Sequence, residues 1–157
     1  MTNKAFEKIV DEYGPSVYRL ALSKTSNTDV AQDIFQQVFL LLYEKRPTFT
    51  YKEQLKVWLM RATCKVASTE RRRFDTSKTV PLDSVCAVSE KAELEFEFNE
   101  LLSHLPENLR DVTVLFYIED MSIKDIATSL SISASAVKAR LTRARSMLEK
   151  IYKEEIL

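Results

Sequence analysis

Apolar side chains recur at helical spacing in the first part of the chain. In the stretch KAFEKIVDEYGPSVYRLALSKT, the positions that follow this spacing are Phe6, Ile9, Val10, Tyr13, Val17, Leu20 and Ala21. The dipeptide Gly14-Pro15 lies in the middle of this pattern, and we expect it to interrupt or bend the helix because proline lacks a backbone N–H donor. Asn27, Thr28 and Asp29 then offer a cap for a second helix.

The second predicted helix, VAQDIFQQVFLLLYEK, is apolar over more than one face. One stripe contains Val30, Ile34, Val38, Leu41 and Leu42. Phe35, Phe39 and Leu40 widen the apolar area beyond that stripe. A helix of this kind is either deeply buried or presents a second face to a partner. Pro47 predicts the end of this second helix.

A third helix is predicted from the stretch EQLKVWLMRATCKVASTERRRF. The residues Thr50 to Glu53 have the form of a capping box. The pattern directs Leu55, Leu59, Ala62 and Val66 inward and leaves Arg61 and Lys65 on an outer face, and three arginines, Arg71, Arg72 and Arg73, close the helix.

The region after this helix has no apolar periodicity until about residue 90. It is rich in Ser and Thr and contains Pro81, so residues 75–90 are predicted to be a linker. In the next stretch, Leu94, Phe96 and Phe98 alternate as in a strand. A longer helical series through Leu105 favours a helix. Pro106 suits the first turn of another helix, ENLRDVTVLFYIED.

The stretch MSIKDIATSLSISASAVKARLTRARSMLEK predicts a helix, a short turn and a second helix. Ser122 and Asp125 can form a capping box at the first helix. Ser131 stands where such turns often have glycine, and Ser133 can cap the second helix. A stripe of apolar residues on the second helix is expected to pack inward: Val137, Leu141, Ala144, Leu148 and Ile151.

The composition agrees with an all-α chain and limits the kinds of site and location that are expected for it. The 157 residues include one glycine and four prolines, with 45% hydrophobic residues. The first residues lack the apolar core of a signal peptide and no apolar run is long enough to span a bilayer, so a cytoplasmic location is expected. Cys64, Cys86 and the single His104 are far apart, so reduced thiols and no metal site or cofactor are expected.

The net formal charge of zero hides three zones of unequal charge. Residues 47–74 carry seven bases and two acids, which gives 7 − 2 = +5. Residues 75–120 carry three bases and eleven acids, 3 − 11 = −8, and residues 121–157 carry seven bases and four acids, 7 − 4 = +3. Two separated basic zones fit two contacts with a polyanion.

The front of the last predicted helix is small and polar, with cations on both flanks. Such a face fits the major groove of DNA, while the flanking cations reach phosphates. We therefore predict DNA contacts from Ser133, Ser135, Lys138, Ala139, Arg140, Thr142, Arg143 and Arg145. A solvated basic helix packed on a core would explain the apolar stripe but not the helix-turn-helix that precedes it.

Three stretches together resemble bacterial sigma factors of the extracytoplasmic-function type in the sigma-70 family. Residues 105–150 resemble that family's C-terminal promoter-binding domain. DVAQDIFQQVFLLLYEK resembles its polymerase-clamp helix, and LKVWLMRATCKVASTERRR resembles the helix that melts and holds the −10 element. The resemblance covers nearly the whole chain. It implies two small helical domains: residues 1–74 as sigma region 2, residues 75–90 as a flexible linker, and residues 91–157 as sigma region 4.

The resemblance also implies roles for individual residues. The last helix would read the −35 element. Contacts to a flipped base and the single strand at the −10 element would come from Phe49, Tyr51, Arg61, Lys65, Arg71, Arg72 and Arg73. Contacts to the polymerase would come from Asp29, Asp33, Gln36, Gln37, Phe39 and Leu40.

The partners implied by the resemblance are macromolecules. They are core RNA polymerase, through its β′ clamp helices and β flap, promoter DNA, and an anti-sigma factor that could hold the protein at the membrane; no small-molecule substrate is implied. Two other readings stay open on the residues alone. One is a DNA-binding regulator that uses only the helix-turn-helix. The other is an enzyme such as a recombinase or nuclease, which no carboxylate cluster or metal-ligand spacing supports.

Overall fold

A computed structural model describes the backbone of residues 1–73 and 99–156, and the side chains of residues 1–70 and 99–154. We call residues 1–73 the N-terminal lobe and residues 99–156 the C-terminal lobe. The predicted linker and the ambiguous alternation at Leu94 to Phe98 lie outside the described residues. Every regular element in the described ranges is helical, which confirms the all-α prediction.

The first helix, α1, runs from Asn3 to Thr25, and Thr2 caps it by accepting a hydrogen bond from the Ala5 N–H at 3.2 Å. The predicted interruption at Gly14-Pro15 is wrong, because the helix continues through Pro15. Apolar burial on both sides of the proline favours the continuous helix over the hydrogen bond that proline removes.

The single glycine of the chain has a packing role at the crossing of α1 and the next helix. A Cβ atom at Gly14 would lie 3.1 Å from the Phe35 ring carbon Cε2. Any larger residue would therefore force the ring and α1 apart. Glycine at this position allows the two helices to approach closely.

Helix α2 runs from Thr28 to Lys45, and its predicted cap is confirmed. The Asn27 side-chain oxygen accepts hydrogen bonds from the backbone N–H groups of Asp29 at 3.0 Å and Val30 at 3.1 Å. The helix ends at Arg46, whose φ of 43° is left-handed, one residue before Pro47. The chain then turns back toward the third helix.

Helix α3 runs from Lys52 to Arg73. The capping residue is Gln54, not the predicted Glu53: the Gln54 amide oxygen accepts from the N–H of Thr50 at 2.9 Å and of Tyr51 at 3.4 Å. Since an amide oxygen caps as a carboxylate does, the two residues are chemically close to equivalent. The predicted inward residues are all buried: Leu55, Leu59, Ala62 and Val66.

A second buried face on α3 was not predicted. Met60 and Thr63 are fully buried and Ala67 is 1% exposed, although none of them belongs to the predicted stripe. This helix contacts α1 and α2, and it also contacts a helix of the C-terminal lobe. Burial on two sides follows from that second contact.

The C-terminal lobe begins with helical residues at 99–103. Helix α4 runs from Glu107 to Thr113 and continues as a π-helical segment from Val114 to Ile118, in which the Glu119 N–H donates to the Val114 carbonyl oxygen at 3.0 Å. Helix α5 runs from Ile123 to Leu130 and α6 from Ala134 to Ile156.

The two lobes are packed against each other. Helix α3 contacts α5, and α1 contacts both α4 and the π-helical segment. One continuous hydrophobic cluster includes residues from both lobes, for example Leu59 and Met60 with Leu115 and Ile126. A smaller cluster lies within the C-terminal lobe and contains Leu102, Leu105, Leu109, Val114 and Ala144.

Candidate nucleic-acid interface

Three serines shape the helix-turn-helix formed by α5 and α6. The Ser122 hydroxyl accepts from the Asp125 N–H at 3.1 Å at the start of α5, and the Ser133 hydroxyl accepts from the Ala136 N–H at 3.1 Å at the start of α6. Ser131 has a φ of 57°, the left-handed conformation that favours glycine. The predicted roles of all three serines in the helix-turn-helix are confirmed.

One side of α6 is buried and the other is open. Val137, Leu141 and Ala144 are at most 2% exposed, as the stripe predicted. The candidate DNA-contacting residues on the opposite side are exposed: Ser133, Ser135, Lys138, Ala139, Thr142, Arg143 and Arg145. The helix therefore offers a small polar front with cations beside it, the shape that a major groove accepts.

One candidate arginine, Arg145, has partners in this structure, and another, Arg140, lies away from the open face. Arg145 donates through its Nε to the Tyr117 hydroxyl at 2.5 Å, and its guanidinium lies 5.9 Å from the centre of the Phe116 ring. Arg140 is half-buried and lines a cleft of about 300 Å³ between the lobes, together with Lys24, Cys64, Ser68, Glu107 and Asp111. Arg140 is thus the one member of the described −35 candidates that is not on the open face.

The candidate −10 residues also include both exposed and half-buried side chains. Arg61 and Lys65 are exposed on α3, one helical turn apart, and Tyr51 is 66% exposed before the helix. Phe49 is half-buried and its ring packs edge-on against Trp58, with 6.4 Å between ring centres. Tyr51 is therefore the more accessible stacking surface. Arg71, Arg72 and Arg73 continue α3, and their side chains lie outside the described residues.

The polymerase candidates on α2 are only partly at the surface. Asp29, Asp33 and Gln36 are exposed, and Leu40 is 56% exposed. The surface placement expected for Phe39 is wrong, because its side chain is 4% exposed and packs on the Phe35 ring at 4.8 Å between centres. The wide apolar area of α2 mostly fills the core.

Gln37 is also less available than expected. Its side-chain nitrogen donates to the Glu70 carboxylate at 2.8 Å, and Glu70 is 3% exposed. This bond joins α2 to α3. The open part of α2 therefore combines carboxylates, the Gln36 amide and the apolar Leu40, with Tyr43 at 43% exposure close by.

Two buried carboxylates of the C-terminal lobe were missed by the sequence reasoning. Asp111 and Glu119 belong to the acidic zone at residues 75–120, and they are only 3% and 4% exposed. Their partners are cations of the N-terminal lobe, 63 to 100 residues away in sequence. No local pattern could have identified those partners, since the pairing depends on how the lobes pack.

The electrostatic environments of the two carboxylates differ. Burial raises the pKa of Asp111, and the nearby Lys24 and Ser23 only partly oppose it. Burial also acts to raise the pKa of Glu119. However, hydrogen bonds from Arg19 and Ser16 and the charges of Arg19 and Lys56 outweigh it, so that this pKa is lowered. Glu119 is the more strongly stabilised anion of the two.

Cys64 lies in the cleft between the lobes as a free cysteine. Burial raises the pKa of its thiol to about 11, although the charge of Lys24 opposes the shift. Because the thiolate is the reactive form, the thiol is a weak nucleophile at neutral pH in this arrangement. Across residues 1–70 and 99–154, no three His, Cys, Asp or Glu side chains come together as a metal site would require. None of the described helices is apolar over a length that could cross a bilayer.

Two family models match the chain, one on each lobe. The model of sigma-70 region 2 matches residues 9–76, and the model of sigma-70 region 4 matches residues 95–148. Among curated proteins, the chain is 28% identical to the ECF RNA polymerase sigma factor SigW of Bacillus subtilis, over 93% of this chain and 88% of that protein. It is 30% identical to the ECF RNA polymerase sigma factor EcfG of Rhodopseudomonas palustris, over 85% and 77%.

Solved structures with the same fold include two proteins in complex with other proteins. The sigma factor RpoE of Bartonella quintana, in complex with the anti-sigma factor NepR, is 24% identical with a TM-score of 0.76, over 96% of this chain and 98% of that one. CnrH, in complex with the cytosolic domain of CnrY, is 23% identical with a TM-score of 0.70, over 98% and 90%. These similarities concern the fold.

Proposed function

The chain belongs to the extracytoplasmic-function type of the sigma-70 family and is an alternative sigma factor that directs promoter-specific transcription initiation, and we propose how its residues divide that work. Residues 1–74 act as region 2, which binds core RNA polymerase and opens the −10 element. Residues 75–90 act as a linker, and residues 91–157 act as region 4, which reads the −35 element. The protein has no catalytic step of its own and needs no cofactor.

The observation that carries this proposal is the exposed face of α6. A helix-turn-helix whose second helix buries one stripe and exposes small polar residues between cations has the shape needed to enter a major groove. Lys138 and Arg143 stand on different flanks of this face. We propose that they contact the phosphates and base edges of the −35 element, with Ser135 and Thr142 between them.

We propose that the −10 element is held by the outer face of α3 and the segment before it. Unstacking a base costs a few kcal/mol, which stacking and a cationic groove must offset. The exposed Tyr51 ring supports stacking, and Arg61 and Lys65 support a groove that follows the strand. The proposed groove also includes Arg71, Arg72 and Arg73.

We propose that α2 binds the β′ clamp helices of the polymerase through Asp29, Asp33, Gln36 and Leu40. The exposed carboxylates and the apolar Leu40 support this, since interfaces combine an apolar centre with a polar rim. Region 4 would contact the β flap. Because the similar sigma factor RpoE is in complex with the anti-sigma factor NepR, we also propose an anti-sigma partner for this chain. We propose a cytoplasmic site of action.

Transcription in vitro tests the proposal directly. The purified chain is added to bacterial core RNA polymerase on a DNA library with randomised −35 and −10 positions. We expect tight binding to the core enzyme and transcripts that start downstream of one selected pair of elements. A regulator that uses only its helix-turn-helix would bind DNA without joining the core enzyme. That result, or a core complex that initiates on no member of the library, would exclude the proposed division of roles.

A further inference from the structure

Two aromatic rings and one arginine form a cluster where the π-helical segment meets α6. The Arg145 Nε donates to the Tyr117 hydroxyl at 2.5 Å. The guanidinium carbon lies 5.7 Å from the centre of the Tyr117 ring and 5.9 Å from the centre of the Phe116 ring. The two rings meet edge-on, with 4.9 Å between their centres. The hydrogen bond and the cation–π attraction therefore restrain the same guanidinium.

The π-helical segment allows two consecutive residues to reach α6 together. In an α-helix, neighbouring side chains point about 100° apart, so usually only one of them faces a given neighbour. The wider π turn, in which the Glu119 N–H donates to the Val114 carbonyl oxygen at 3.0 Å, reduces that angle. Such turns are rare and occur frequently at functional sites. Here the turn places Phe116 and Tyr117 side by side next to Arg145.

The bond to Tyr117 leaves the outer nitrogens of Arg145 open. Arg145 is exposed, and its two Nη atoms make no hydrogen bond with any described residue. The acid one turn further along α6, Glu149, is paired with Lys153 at 3.1 Å between nitrogen and oxygen. A guanidinium with a fixed Nε and open Nη atoms presents a planar fork, which suits the oxygens of a phosphate.

Arg145 lies on the same side of α6 as Lys138, about two turns nearer the C-terminus. Seven residues turn an α-helix by about 700°, to within about 20° of the starting direction, and advance it by roughly 10 Å. In a helix-turn-helix, the N-terminal part of the second helix contacts base edges in a major groove about 12 Å wide. When Lys138 lies over the bases, Arg145 is therefore at the rim of the groove, beside the phosphates.

Three exposed cations of α6 are proposed to contact the −35 element: Lys138, Arg143 and Arg145. Arg145 is the one whose side chain bonds another described residue. On the strength of the proposed function, we propose that Tyr117 is a positioning residue for −35 recognition, which holds the Arg145 guanidinium ready to bind a DNA phosphate at the rim of the major groove. An arginine that is ordered before binding loses less side-chain entropy on binding, so Tyr117 raises the affinity through Arg145.

A double-mutant cycle tests whether Tyr117 acts through Arg145. The full chain is bound to core polymerase, and gel-shift titration measures the affinity of this complex for the promoter that the wild type selects from the randomised library. Tyr117→Phe keeps the ring and removes the hydroxyl, and we expect about fourfold weaker binding. We expect about tenfold weaker binding for Arg145→Ala. The double variant should bind no more weakly than Arg145→Ala alone, because the hydroxyl then has nothing to position.

The dependence on salt separates positioning from damage to the whole DNA-binding face. Tyr117→Phe retains every charge, so the slope of log affinity against log salt should equal that of the wild type. Arg145→Ala should reduce that slope by about 0.9, because one phosphate contact is lost. The matched control is Tyr152→Phe, which removes the hydroxyl of another exposed tyrosine of α6, about two turns beyond Arg145. We expect this control to bind as the wild type does.

Arg145→Lys provides a second route if Tyr117→Phe loses helical content by circular dichroism. It keeps the charge but removes both the Nε donor and the planar fork. We expect about fivefold weaker binding with an unchanged salt slope, and wild-type affinity in this variant would overturn the positioning role.

Four results with Tyr117→Phe would overturn the role of Tyr117. They are wild-type promoter affinity, losses that add in the double variant, a reduced salt slope, and weaker binding to core polymerase in place of the promoter. Weaker binding by Lys138→Ala together with any of these results would leave the proposed function standing. A wild-type complex that selects no promoter from the library would instead refute the proposed function, and the positioning role with it.

Discussion

The two lobes bury their apolar side chains in different ways. The N-terminal lobe packs three long helices around fully buried residues such as Leu20, Ile34 and Leu59. The C-terminal lobe divides its buried residues between a small cluster of its own and a larger cluster that is continuous with the N-terminal lobe. The buried residues of the N-terminal lobe therefore belong to a core that both lobes share, while the C-terminal lobe also has a small cluster of its own.

The largest loss of stability is expected from a change in the buried part of the N-terminal lobe. We expect Leu59→Ala to lower the free energy of unfolding by about 2–5 kcal/mol, because it removes a fully buried side chain and leaves a cavity. Chemical denaturation followed by circular dichroism measures the change. Leu40→Ala is the matched control, since Leu40 is 56% exposed, and its effect should fall within the error of the measurement. Equal losses in both variants would contradict the burial of Leu59 in the core.

The helices and their ends were the most predictable part of this fold. Local chemistry sets a cap, so Asn27, Ser122 and Ser133 could be identified from neighbouring residues alone. The prediction of Glu53 as the capping residue, where the structure has Gln54, is a small error that also concerns local chemistry. The predicted interruption of α1 at Gly14-Pro15 is a larger error. The helix continues through Pro15 because packing against other helices outweighs the local effect of the proline.

The lobe interface could not have been predicted from one sequence. Met60 and Thr63 lie off the main apolar stripe of α3, and Asp111 and Glu119 lie in a zone with an excess of acids. Each of them is buried only because a distant segment packs on it. Phe39 illustrates the reverse case, in which a residue assigned to a partner surface is used within the lobe itself.

The surfaces of the two lobes should respond to different partners. We expect Asp33→Arg on α2 to weaken core polymerase binding by about 30-fold, or roughly 2 kcal/mol, because it reverses a charge inside the proposed interface. Fluorescence anisotropy of a labelled chain titrated with core polymerase measures the loss. Asp11→Arg makes the same change at an exposed position of α1 and should bind normally. Normal binding by Asp33→Arg would count against the α2 interface.

The C-terminal surface should respond to DNA and salt instead. We expect Lys138→Ala and Arg143→Ala each to weaken binding to the −35 element by about tenfold, or roughly 1.4 kcal/mol, with core polymerase affinity unchanged. A lost phosphate contact also reduces the slope of log affinity against log salt by about 0.9. Gel-shift titrations on the selected promoter at several salt concentrations measure both quantities.

The residue Lys150 supplies the control for this surface. It is an exposed lysine near the end of the same helix, about three turns beyond Lys138. Lys150→Ala removes the same charge outside the proposed groove contact, so its binding should stay close to that of the wild type. If neither Lys138→Ala nor Arg143→Ala changes the −35 affinity, the exposed face of α6 is not the reading surface.

The lobes resemble each other most at their helix ends, where non-glycine residues take the left-handed conformation. They are Ser26 and Arg46 in the N-terminal lobe and Asp120 and Ser131 in the C-terminal lobe. A left-handed residue with a Cβ is strained by about 1–2 kcal/mol relative to glycine. Glycine at Ser131 relieves that strain but also gains freedom in the unfolded chain, which opposes part of the benefit.

The two serines of the turn should therefore respond in opposite directions. We expect Ser131→Gly to raise the free energy of unfolding by up to about 1 kcal/mol, since its φ of 57° suits glycine. Ser133→Ala should lower it by about 1 kcal/mol, because the Ala136 N–H loses its hydroxyl acceptor. Thermal unfolding of both variants measures the pair under one set of conditions. Destabilisation by both variants would mean that contacts of the Ser131 side chain stabilise the turn. The strain of the left-handed backbone at Ser131 would then be smaller than the stabilisation from those contacts.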